Sequence, residues 1–70
     1  MQTNLEYYKI FYYVSKYNSI SLAAEALSIS QPAVSQAIKH LEKDLGCALF
    51  VRTAKGVRLT KEGEILFSYV

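Results

Sequence analysis

One cysteine stands in 70 residues, Cys47, so the chain can form no internal disulfide. That fits a reducing cytoplasm, where thiols carry no structural load. Cys47 follows Gly46 just past a helical stretch and reads as a small packed hydrophobe rather than a redox centre. There is one histidine, His40, and no cluster of residues at metal-ligand spacing, so neither a metal nor another cofactor is expected. His40 lies beside an apolar helical stripe, where a half-buried or solvated role is expected. Ser30 and Ser35 have no nearby base to activate a hydroxyl, so no catalysis is expected. No apolar run approaches the ~20 residues of a membrane span. The opening "MQTNLEYYK" lacks the basic, apolar and small-residue succession of a signal peptide. Repeats, low-complexity segments and linkers are missing too.

Excess charge is also scarce, at a net +2, and by itself says little about a nucleic-acid partner. Its distribution says more. Residues 1–30 carry two lysines and two glutamates and are neutral. Residues 31–61 hold Lys39, Lys43, Arg52, Lys55, Arg58 and Lys61 against Glu42 and Asp44, a net of +4. Glu62 and Glu64 then leave residues 62–70 at −2. The positive charge is gathered in one segment of the second half.

What is present is globular composition, 51% apolar and 20% charged, in a length that suits one small domain. A first helix is expected from Asn4 to Tyr17, with Leu5, Tyr8, Phe11, Tyr12 and Val14 mostly on one side. Tyr7, Tyr13 and Tyr17 add to an unusual load of tyrosine; at helical spacing these read as core and rim packing rather than base stacking. Asn18 suits a left-handed helix end. A second, short helix follows in "SISLAAEALS", capped by Ser19 or Ser21, with Ser21 preferred. Its inward stripe is Ala23, Ala24 and Leu27, and the adjacent alanines let another helix cross closely.

A third helix begins after Ser30, its expected N-cap. Pro32 sits in the first turn, where a missing N–H costs little. Val34, Ile38, Leu41 and Leu45 form its apolar stripe, and Gly46 ends it. Two β-prone runs, Phe50 to Thr53 and Val57 to Thr60, flank "AKG", whose glycine permits the tight turn of a hairpin. Thr60 can cap a fourth helix, with Glu62 and Glu64 near its positive end. Ile65, Leu66, Tyr69 and Val70 share one side of that helix. The apolar pattern is still running at Val70, which reads as a fragment of a longer chain.

Two short helices joined by a tight turn, then a hairpin, make a mainly α winged helix-turn-helix: a three-helix core, a two-stranded wing and the start of a C-terminal linker helix. At roughly 100° per residue, Pro32, Ser35, Gln36, Lys39 and Lys43 of the third helix face away from its stripe, with Gln31 and Ala33 flanking the tip. The first two turns of that face hold no acidic residue. A glutamine amide can pair bidentately with adenine, a serine hydroxyl can donate or accept, and alanine or proline carbons can touch a thymine methyl. The helix N-terminus offers free N–H groups to phosphate. Lys39 and Lys43 are better placed for the backbone than for base edges. Lys55 and Arg58 on the wing can reach an adjacent groove or phosphate. Capping is the larger expected role of Ser30.

The stretch "SISLAAEALSISQPAVSQAIKHLEKDLGCALFVRTAKGVRLTKEG" resembles the N-terminal DNA-binding domain of LysR-type transcriptional regulators. The similarity starts at Phe11 and Val14. It continues through Ser19, Ala23-Ala24, Leu27, the run from Ser30 to Ser35, Ile38, Leu41-Glu42, Leu45-Gly46, Leu49-Phe50, Arg52, Leu59-Thr60 and Gly63. The resemblance implies a winged helix-turn-helix that binds double-stranded promoter DNA as a dimer or tetramer. It implies that Gln31, Pro32, Ala33, Ser35 and Gln36 approach bases, and that Ser21, Ser30, Lys39, Arg52 and Lys55 lie near phosphates or the wing's groove. It divides the chain into a DNA-binding domain over residues 1–60 and the start of a dimerising linker helix over 61–70, with pairing through Ile65, Leu66, Tyr69 and Val70. A separate domain that binds a small-molecule effector would follow.

The chain departs from the family pattern at three places. Gln36 stands where many members have arginine, so a different base preference is expected. Tyr8 replaces a common leucine, and Asn18 a common glycine. Ser28 also occupies a turn position where helix-turn-helix motifs in general often have glycine. Two other readings share the pattern: the winged helix of molybdate-responsive regulators, and a winged-helix module that binds protein. The second would need an apolar or mixed-charge outward face on the third helix, whereas this face is polar and basic. The expected setting is a bacterial-type cytoplasm, at the nucleoid, with no membrane partner.

Overall fold

The computed structural model describes residues 4–70, with Asn4 described by its backbone only. The reading of the leader rests partly on residues 1–3, which lie outside the described residues. The elements run α1 (Asn4–Tyr17), α2 (Ile20–Leu27), α3 (Gln31–Leu45), β1 (Phe50–Thr53), β2 (Gly56–Leu59) and α4 (Lys61–Phe67). Each junction has a local cause. Asn18 takes φ +53° and ends α1. Ser28, at φ +58°, ends α2 with its N–H on the carbonyls of Ala24 and Glu25. The short polar side chains of Asn and Ser tolerate this left-handed geometry better than bulky ones. Ser30 caps α3 by accepting a hydrogen bond from the Ala33 N–H at 3.2 Å, and Pro32 occupies the first turn. The α3 helix stops at Gly46, which is left-handed at φ +73°.

The cap of α2 differs from expectation. Ser19, not Ser21, is the N-cap, its Oγ accepting from the Leu22 N–H at 3.1 Å. Because Ser19 is the extended residue before the helix, Ser21 is already helical and its hydroxyl is free for another contact.

The core is built where α1, α2 and α3 cross. Phe11, Val14, Ala23, Val34, Leu41 and Leu49 are almost completely buried, with Ile10, Ala24, Ala37, Ile38 and Val57 closing the cluster. The Ala23-Ala24 pair sits at the crossing, as small residues allow. Ser15 is buried too, and its hydroxyl donates to the Phe11 carbonyl at 2.8 Å, so that oxygen is not stranded. Three expected core members lie outside. Leu5 is 78% exposed and Tyr12 37% exposed. They are seven residues apart, so they share a face of α1, turned roughly 100° from Phe11. Leu45 continues the α3 stripe by period but falls in the last turn, past the buried residues, and is 44% exposed. Ile10 and Ala37 take up the positions that the stripes omitted.

The two strands pair antiparallel, with Phe50 opposite Leu59, Val51 opposite Arg58, Arg52 opposite Val57 and Thr53 opposite Gly56. The turn is therefore Ala54-Lys55, and Gly56 belongs to β2 rather than to the turn. Its φ is +140°, and a Cβ there would collide with the Asn18 carbonyl oxygen. The Val57 N–H donates to that same carbonyl at 3.2 Å, so the wing is pinned to the end of α1.

Thr60 caps α4 as expected. Its Oγ accepts from the Gly63 N–H at 3.0 Å and donates to the Ala48 carbonyl at 2.7 Å. Gly63 is buried against the Leu49 carbonyl, with no room for a Cβ. The α4 helix ends at Phe67, so Tyr69 and Val70 lie beyond it, although turn-like bonds from Tyr69 to Leu66 and from Val70 to Phe67 continue the winding. Phe67 stacks on Tyr12 with ring centroids 5.6 Å apart and planes 11° apart, which covers part of the displaced Tyr12. Of the four residues expected on one pairing face, Leu66 packs against this chain's own core, whereas Ile65, Tyr69 and Val70 are exposed.

Candidate nucleic-acid interface

Helix α3 is amphipathic in the expected sense: Val34, Ala37, Ile38 and Leu41 are buried, and Gln31, Pro32, Gln36, Lys39 and Lys43 are exposed. Ala33 and Ser35, on the flanks, are half-buried. At the tip, the Gln31 Nε2 donates to the Ser21 Oγ at 3.4 Å. The first residue of α3 is thus tied weakly across the turn to the outer side of α2. Ser21 and Gln31, which the sequence reading treats separately, form one polar corner.

The wing divides the cationic residues into two groups. Opposed residues in an antiparallel pair share a face and successive ones alternate. Arg52 therefore lies on the same face as Phe50, Val57 and Leu59, which is turned towards the helices, while Arg58 and Val51 lie on the other face. The consequence is a cleft between α3 and β1 whose lining includes Ser35 and Lys39 from the helix and Arg52 from the strand. Helix and strand residues 13 to 17 apart in sequence meet there, with two cations at its rim. Lys55 and Arg58 border a separate, open depression at the wing tip, with Asn18 and Thr53. Lys43, in the last turn of α3, borders neither cleft.

Among the described residues none of Lys39, Lys43, Arg52, Lys55 and Arg58 forms an ion pair. Their charges are left to act outward. His40 is the partner of Asp44, at 3.3 Å, and its ring lies against Tyr7. The tyrosines pack largely as expected: Tyr7, Tyr8 and Tyr13 rest on the core.

One residue that holds this arrangement carries no signal of its own in the sequence. The Glu42 carboxylate accepts hydrogen bonds from the backbone N–H groups of Leu49 and Phe50, at 2.7 and 3.4 Å. A glutamate on a helix flank reads as a solvated side chain. Only its place in the family resemblance singled it out.

The model of the bacterial regulatory helix-turn-helix proteins of the lysR family matches residues 5–64. The chain belongs to the LysR family. Its relatives agree. It is 42% identical over 69 residues to the RuBisCO operon transcriptional regulator of Allochromatium vinosum, covering 99% of this chain and 23% of that protein. It is 44% identical over 63 residues to the HTH-type transcriptional regulator BudR of Klebsiella aerogenes, covering 90% of this chain and 44% of that one. The chain thus spans less than half the length of these relatives. Among solved structures, it superposes on the DNA-binding domain of CbnR in its DNA complex with a TM-score of 0.90 at 30% identity, covering 99% of this chain and 77% of that one. The BenM DNA-binding domain bound to catB site 1 DNA gives 0.89 at 35% identity, covering 99% and 75%. The mainly α winged helix-turn-helix is therefore the LysR arrangement, and the family match falls on the first of the two regulator readings rather than on the molybdate-responsive one. Among the described residues, no helix is long and apolar enough to cross a membrane.

Proposed function

We propose that this chain is the sequence-specific DNA-binding module of a LysR-type transcriptional regulator, with no catalytic role, acting on promoter duplex in a bacterial-type cytoplasm. The observation that carries the proposal is the cleft that unites Ser35 and Lys39 of α3 with Arg52 of the wing, beside an outward helix face free of acid over its first two turns. In this reading α3 enters the major groove. Gln31, Pro32, Ala33, Ser35 and Gln36 meet base edges. Lys39 and Arg52 take phosphates on the wing side, Ser21, Ser30 and Lys43 take phosphates along the helix, and Lys55 and Arg58 reach the neighbouring groove or backbone. Support comes from the relatives named as regulators and from the DNA complexes of the similar CbnR and BenM domains.

Residues 1–60 act as the DNA-binding domain and 61–70 as the start of a linker helix. The exposed Ile65, Tyr69 and Val70 assist pairing into a dimer or tetramer, with Leu66 divided between that role and its own core. Pairing matters because two half-sites bound together give far higher affinity than one. In the complete protein a further domain binds a small-molecule effector. A protein-binding winged helix is the competing reading, and the polar, basic face of α3 disfavours it.

The test is a salt titration of binding to promoter fragments, followed by selection of bound sequences from random duplexes with a form that restores the dimer. Affinity is expected to fall steeply with salt, as counterion release requires. Absence of any salt-sensitive duplex binding overturns the proposal.

A further inference from the structure

On the side of α3 turned away from the wing, a shallow cleft between α1 and α3 is lined by Tyr7, Ala33, Gln36, Ala37 and His40. Its members are unequal. Ala33 and Ala37 supply methyl groups, Tyr7 and His40 supply rings, and Gln36 is the one long, flexible amide. The two rings are in contact, with centroids 4.6 Å apart and planes tilted by 36°. On its other side, the His40 Nε2 is 3.3 Å from the Asp44 carboxylate, one helical turn further on. Tyr7 is half-buried and packed on the core, so it is an anchored surface. His40 is about half exposed, at 49%, yet it is gripped from two sides. A histidine present only for solvation needs neither partner.

His40 follows Gln36 by four residues, which makes the two side chains neighbours on one edge of the helix. Gln36 is exposed and forms no hydrogen bond among the described residues, so none of their polar groups holds its amide. A free glutamine disperses over many rotamers and loses that freedom on binding. A rigid wall on one side removes part of that range beforehand.

We infer that His40, held between Tyr7 and Asp44, is a positioning residue for Gln36: the Tyr7–His40 ring pair closes the α1 side and directs the Gln36 amide to one base step. This deepens the DNA-binding proposal and rests on it. The inference assigns no DNA contact to His40 itself.

The experiment measures equilibrium binding of this chain to a selected duplex and to its single-base variants, at several salt concentrations. The proteins are the wild type, His40→Ala, Tyr7→Phe, Gln36→Ala and the His40→Ala/Gln36→Ala double variant, each with its fold checked by circular dichroism. His40→Ala is expected to lower discrimination at the Gln36 base step by about three- to tenfold, part of what a bidentate pair supplies, with the salt slope and the other positions unchanged. Tyr7→Phe keeps the ring and is expected to keep the discrimination. In the Gln36→Ala background His40→Ala is expected to add nothing at that step. A uniform loss with a flatter salt slope makes His40 a phosphate contact and overturns the inference, as do an unchanged preference or an effect that persists without Gln36. Wild-type binding in the same series separates the two proposals: if the wild type binds and His40 is neutral, only this inference falls.

Discussion

The carboxylate of Glu42 accepts a 2.7 Å hydrogen bond from the backbone N–H of Leu49, and through it the third helix holds the start of the wing. Leu49 is fully buried and its neighbour Phe50 half-buried, so these amides have little access to water in compensation. The same contact sets the position of Arg52, two residues further on, over the cleft that it shares with Lys39.

Removing that acceptor leaves part-buried donors unpaired. Glu42→Ala is expected to destabilise the domain by about 2–3 kcal/mol, the range for a charge-assisted bond with its donors left unpaired. Glu42→Gln, which keeps an oxygen, is expected to cost about 1 kcal/mol. Urea unfolding gives both values. A Glu42→Ala midpoint equal to that of the wild type would show that the bond contributes nothing.

Gly56 separates backbone strain from side-chain packing. Its φ of +140° is unfavourable for any L side chain, and the Asn18 carbonyl fills the Cβ position. Gly56→Ala is expected to cost about 1–3 kcal/mol, the usual range for a strained position. It should also loosen the wing from α1, visible as faster amide exchange at Val57, whose N–H donates to Asn18. Unchanged stability together with unchanged exchange would contradict the pinning role.

Gln36→Ala tests base readout. The substitution removes an exposed amide with no hydrogen-bond partner among the described residues, so stability should hold. Discrimination at one base step per half-site is expected to fall by about 1–3 kcal/mol. A loss spread evenly over all sequences would assign Gln36 to the backbone instead.

Lys39→Ala should behave in the opposite way. Lys39 is exposed beside Arg52 and has no acidic partner among the described residues. Binding is expected to weaken alike for every sequence, with the slope of log affinity against log salt flattened by about one unit. A change confined to sequence preference would instead place Lys39 at a base edge.

Much of this protein was legible because its signals are local. The bounds of α1 and α3, the Ser30 cap, the first-turn Pro32, the Gly46 stop and the Thr60 cap all depend on residues within one turn of each other. Periodicity likewise named Phe11, Val14, Val34, Ile38 and Leu41 as core. Period alone erred where it had no knowledge of what lies opposite. Leu5 and Tyr12 are apolar but have no helix across from them in the three-helix core, so Tyr12 waits for Phe67 of α4. Ser19 and Ser21 are chemically equal as caps, and the choice fell to the residue at which the helix begins.

The polar outer face of α3, the cationic segment and the family itself were written in residue type and spacing. What only the tertiary structure decided is who meets whom across long sequence separations. The Glu42 clasp on the Leu49 amide, the closure of Gly56 onto Asn18, the division of Arg52 from Arg58 by strand alternation, and the Tyr7–His40 contact each require two elements to be packed. A one-dimensional pattern encodes the face that a residue takes on its own helix or strand. The partner across the gap is chosen by close packing of the whole core, which no single segment contains.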